Sequence, residues 1–153
     1  MKTKLFFLLL SLSLTVASCT NKAKNTSENK ASTTEEAEAY SMKAVMAVHD
    51  EVMPKMGEIS LLIDRLKPLA DQDPDSPYAN AMKELQNSHK AMMDWMGDIG
   101  EAFTSEEILK GAPLSADKKA RLKVEAERIA AVKDLMLRSI DEGKKLLDAA
   151  DAE

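Results

Sequence analysis

Methionine thioethers and histidine imidazoles are the side chains here that could hold a soft metal ion, and they are gathered in one stretch. Eight of the ten methionines (Met42, Met46, Met53, Met56, Met82, Met92, Met93 and Met96) and both histidines, His49 and His89, fall between residues 42 and 96. The pattern H-x3-M-x2-M occurs twice, as His49, Met53, Met56 and as His89, Met93, Met96. Steps of four and three residues keep each set on one face of a helix. Thioether with imidazole favours Cu(I) or a similar soft ion such as Ag(I). The candidate ligands are therefore His49, Met53, Met56, His89, Met92, Met93 and Met96, and Cu(I) is the candidate cofactor. The same residues also suit a core, because methionine is an adaptable filler and a methionine stripe at helical spacing packs well. A stripe left open to solvent would serve instead as a surface for apolar partners, or as an oxidation sink that forms sulfoxide.

Other chemistry lacks its residues. A di-iron site in a helical bundle needs a glutamate three residues before each histidine, and those positions hold Met46 and Gln86. Ser88 and His89 are neighbours, so on a helix they point to different faces and make no catalytic pair. No cysteine pair stands ready to attach haem. Glu51 and Lys55 read as a solvated i,i+4 ion pair, and Trp95 as a large packing residue, with cation–π contact to a bound ion as its sharper alternative.

The elements that must position these groups are helical. Thr33 and Glu36 are spaced as a capping box opening helix 1, which is expected from about 34 to about 67. Its apolar face is Val45, Met46, His49, Val52, Met53, Met56, Ile59, Ile63 and Leu66. Pro54 removes one backbone hydrogen bond and crowds the Asp50 carbonyl, which predicts a kink near 50–54. Residues 68–77 are turn chemistry, and Ser76 with Pro77 caps helix 2. Helix 2 is expected to turn Met82, Leu85, His89, Met92, Met93, Met96 and Ile99 inward and to end near 100–103. Residues 105–111 form one or two capped turns closed by Gly111. Ser115 caps helix 3, about 116–150, with Leu122, Ala126, Ile129, Val132, Met136, Ile140 and Leu147 inward. The fold predicted is all-α: an antiparallel up-down-up three-helix bundle over residues 34–153, with helix 1 kinked near Pro54. Placing Pro68 level with Pro77 pairs His49 with Met96, Met53 with Met92, Met56 with His89 and Ile63 with Met82, so the two phrases meet.

The chain opens with Lys2 and Lys4 and a short apolar run from Leu5 to Leu14, too short to span a membrane. Val16-Ala17-Ser18-Cys19 follows, and Cys19 is the single cysteine. In this the chain resembles a bacterial lipoprotein precursor, which implies a signal peptide at 1–18, cleavage before Cys19 and lipidation of Cys19. Residues 19–33 read as a lipidated cysteine with a flexible tether, since 20–32 hold no large apolar residue. Two or more acyl chains would make the anchor stable. Losing Lys2 and Lys4 takes the net charge from −5 to −7, with 19 basic against 26 acidic side chains. A negative chain without a basic run argues against nucleic acid as a partner.

The phrases HDEVMPKM and HKAMMDWM, together with the signal and the tether, resemble small helical lipoproteins of Bacteroidota. Some of these carry a viral A-type inclusion protein label that follows coiled-coil-like composition, and no function is taken from it. The resemblance covers most of residues 40–150 and implies a helical envelope protein, but supplies no site residues. The function expected is that of a non-enzymatic lipoprotein of the cell envelope, held to the outer membrane by its lipid and acting as a helical binding or structural module toward a protein partner. The alternatives are soft-metal buffering and a methionine oxidation sink.

Overall fold

The computed structural model describes residues 40–152. The expected signal peptide, the lipidated Cys19, the tether and the Thr33 capping box all lie outside the described residues. Those described are helical throughout, with no strand: α1 Met42–Val52, α2 Lys55–Ala70, α3 Pro77–Ala102, α4 Ser105–Lys110 and α5 Ala116–Ala150.

Each boundary follows from local chemistry. Ser41 is extended, and its hydroxyl accepts from Ala44 N at 3.2 Å, so α1 starts at Met42 rather than continuing unbroken from residue 34. Pro54 has no N–H for the Asp50 carbonyl, and α1 stops at Val52 while α2 begins at Lys55, which bends the first helical span as its sequence predicts. The bend also undoes the expected Glu51–Lys55 pair, because the two residues no longer share a helical turn. Glu51 instead reaches Lys133 at 2.7 Å, and Lys55 lies 3.9 Å from Glu58. Pro68 does not open the turn. It sits inside the last turn of α2, which runs on to Ala70; the bond it cannot make, to the Asp64 carbonyl, is lost on an exposed face where water can replace the donor. The turn proper is 71–76, held by Asp75 N donating to Asp73 Oδ1 at 3.0 Å. Ser76 then caps α3, with Pro77 at its first position. Thr104 and Glu107 form a full capping box for α4, and Gly111, at φ 67, closes it in the left-handed conformation that glycine takes without penalty. Lys118 and the Thr104 backbone N–H hold the Glu107 carboxyl below the usual glutamate range, and the Lys118 contact fastens α4 to α5.

α5, about 52 Å long at 1.5 Å per residue, is the longest helix, and α1, α2 and α3 all pack against it. Its buried positions are Leu122, Glu125, Ile129, Val132, Met136, Ser139, Ile140, Gly143 and Leu147, close to a heptad. α3 faces it with Ala81, Leu85, Ser88, Met92, Trp95 and Ile99. Ser139 lies 3.1 Å from Ser88, whose hydroxyl donates to the Leu85 carbonyl. Gly143 admits Leu85, since a Cβ there would stand 3.2 Å from Leu85 Cδ1. Pairs between the first span and α5 rise together in number: Glu51 with Lys133, Glu58 with Lys144, Arg65 with Asp151. Pairs between α3 and α5 run oppositely: Leu85 beside Gly143, Ser88 with Ser139, Asp98 with Arg128. The core is a helical bundle interior whose deepest members are Val52, Ile59, Leu66, Leu85, Met92, Trp95, Ile129 and Met136, all fully buried.

Three of the inward residues expected from sequence are displaced. Leu62, not Ile63, is the buried member of α2; Glu125 lies buried where the half-buried Ala126 was expected to face in; and Met93 points out, 50 % exposed. In α3 Leu85, Met92 and Ile99 face in as expected, but the helix is rotated enough that Ala81, Ser88 and Trp95 join them in the seam while Met82, His89 and Met96 flank it half-buried. Trp95 sets this rotation. It carries the largest apolar surface in the helix, and turning it inward places Met93 on the far side.

Candidate functional site

The two sequence phrases occupy different backbones. His49 belongs to the last turn of α1, Met53 to the break and Met56 to the first turn of α2, whereas His89, Met92, Met93 and Met96 lie on continuous helix. Equal spacing therefore does not give equal geometry. Met56 and Met92 are buried in the core cluster, Met53 and Met96 are partly buried against it, and Met93 is exposed.

The histidines have separate surroundings. The His49 ring stacks on Trp95, with centroids 5.6 Å apart and planes 27° from parallel, and its Nδ1 lies 2.9 Å from Asp50 Oδ1. That places His49 beside the residue preceding Met96, near the level the sequence predicts. His89 instead lines a shallow hollow with Ser60, Ile63, Asp64 and Gln86. The expected pairing of Met56 with His89 and of Ile63 with Met82 is thus displaced by about a turn, since α2 continues through Pro68. Among the described residues no group of three or more His, Cys, Asp or Glu could hold a metal ion, so metal chemistry on this face would rest on thioethers.

Behind Trp95 lies a polar network that periodicity could not reveal. The indole Nε1–H donates to the Glu125 carbonyl at 3.1 Å. The Glu125 side chain is wholly buried, yet meets Arg121 at 2.7 Å and Arg128 at 3.1 Å. Arg128 also reaches Asp98 at 2.6 Å, and that hydrogen bond, with Glu125 behind it, raises the guanidinium further above its usual range. Among the described residues each buried side-chain polar atom has a partner, and the network ties α3 to α5 in one register.

A second concavity was not anticipated. Between the start of α1, the 111–115 linker and the first turns of α5 is a mostly apolar hollow of about 750 Å³. Met42 and Leu122, both buried, form its floor, and Leu114 with Pro113 forms a wall. Lys43, Lys119 and Lys123 stand exposed around it, and Lys123 Nζ lies 4.9 Å from the Tyr40 ring centroid. The only sequence signal is the Gly111-Ala112-Pro113-Leu114 interruption, which stops helix and leaves room where three elements meet. No protein family, curated protein or solved structure matches the chain.

Proposed function

We propose that this chain is a non-enzymatic, lipid-anchored envelope protein, held to the outer membrane through Cys19, whose three helical spans run up, down and up and present a binding site at one end. The hollow floored by Met42 and Leu122 carries this reading, because its volume falls within the roughly 300–1,000 Å³ common for small-ligand sites and its lining is chiefly apolar. The parallel and opposed pairings along α5 support the up-down-up course. Val16-Ala17-Ser18-Cys19 supports the anchor, and among the described residues no helix is long and apolar enough to cross a membrane. Cys19→Ala should move the protein from the membrane fraction to the soluble fraction or leave it unprocessed; fractionation and migration like wild type would refute lipidation. For the hollow, the chain from Thr20 to Glu153 contains every residue of the core cluster and is titrated with Nile red, an uncharged dye that brightens in apolar surroundings. Binding should be saturable and should fall sharply in Ala112→Trp, which fills the hollow. Dye uptake that ignores this substitution would mean that the hollow is not the site.

A second reading, soft-metal binding, is favoured by the stack of His49 on Trp95, which brings the imidazole of the first phrase to the end of the second. The ligand set it supports is smaller than the sequence suggests: His49, Met53 and Met96, with His89 apart and Met93 facing away.

A further inference from the structure

We propose that the hollow at the α1–α5 end takes a long-chain fatty carboxylate, its alkyl tail on the Met42–Leu122 floor and its carboxylate between Lys43 and Lys119; this rests on the binding-module reading above. Charge is the first argument. The chain is acidic overall, at −5, yet the described lining of this hollow holds Lys43 and Lys119, with Lys123 engaged beside them at the Tyr40 ring, and neither Asp nor Glu. Lys43 and Lys119 have no ion-pair partner among the described residues, so their ammonium groups are available to an incoming anion. Lysine suits this role, since it is a mobile point charge able to follow a headgroup. The floor points the same way. Met42 and Leu122 offer hydrocarbon and a thioether only, and Ser41 Oγ is already engaged with Ala44 N. A bound peptide would bury backbone N–H and C=O groups that need partners, and such a floor supplies few; an alkyl chain has no such need. Apolar depth with a cationic rim is the complement of a single-tailed anion.

The test uses the Thr20–Glu153 chain with a dansyl-labelled undecanoic acid as the fluorescent probe, displaced by decanoate, dodecanoate or tetradecanoate below micelle-forming concentrations. Affinity should rise by about fourfold per added methylene until the hollow is filled. Dodecanol, with the same tail and no charge, should compete at least about tenfold less well. The double variant Lys43→Glu/Lys119→Glu should weaken dodecanoate by roughly tenfold or more while leaving Nile red binding intact, and added salt should weaken dodecanoate alone. If dodecanol equals dodecanoate and the lysine variant changes nothing, the carboxylate proposal is overturned while the binding-module reading survives. If neither Nile red nor the fatty acid binds, both fall.

Discussion

Met92 and Met93 are adjacent, identical in chemistry, and opposite in consequence. Met92 is fully buried between α3 and its neighbours, whereas Met93 is half exposed. Truncating a buried methionine removes transfer energy and leaves a cavity, so Met92→Ala should cost about 2–5 kcal/mol. Met93→Ala should fall within about 0.5 kcal/mol of wild type, as surface changes do. Urea unfolding of both variants checks this, and equal losses would mean that the α3 seam has been assigned to the wrong face. Glu125 makes the complementary point. A carboxylate with no exposed surface survives because Arg121 and Arg128 reach it from the rim, and those cations are themselves partly exposed. Water can therefore solvate the arginines if the glutamate is lost, while a buried glutamate that lost them could not be rescued.

At the scale of elements, most of the fold is legible in the sequence because caps are local chemistry. Ser76-Pro77, Gly111 and Ser115 mark boundaries that α3, α4 and α5 respect, and Pro54 marks the bend. Local rules fail where a boundary residue has its conflict absorbed. Pro68 stays in α2 because the Asp64 carbonyl it leaves without a donor lies on an exposed face open to water. The rotation of α3 was not legible for a different reason. Its seam contains Ser88 and its partner helix contains Glu125, Ser139 and Gly143, so apolar periodicity keeps Leu85, Met92 and Ile99 but favours Met82, His89 and Met96 over their neighbours Ala81, Ser88 and Trp95. That slip turned a row of flanking side chains into an apparent inward cluster. The hollow beside Leu114 was invisible for a third reason. It arises where three elements fail to fill space at one end, and no spacing within one element encodes that.

For the molecule as a whole, the soft-metal reading becomes a question of what would tie the first span to α3. α1 packs mainly on α5 and α4, and it meets α3 through the His49–Trp95 stack. A Cu(I) ion held by His49, Met53 and Met96 would add a second tie and would exist only in the folded state. Such a ligand stabilises the fold by about 2.7 kcal/mol at a hundredfold excess over its dissociation constant. For a fold of this size that corresponds to a rise of roughly 10 °C in melting temperature. Because His89 lines its own hollow with Ser60 and Asp64, His89→Ala should keep most of the gain and His49→Ala should lose it. Zn(II), which prefers imidazole, thiolate and carboxylate, should do much less. Thermal melts of the three proteins with and without Cu(I) under reducing, oxygen-free conditions separate the outcomes. Equal loss of the gain in both histidine variants would restore one site joining both phrases. No Cu(I)-dependent shift in wild type would leave the methionines of this face to packing alone, with His49 serving as a lid on Trp95.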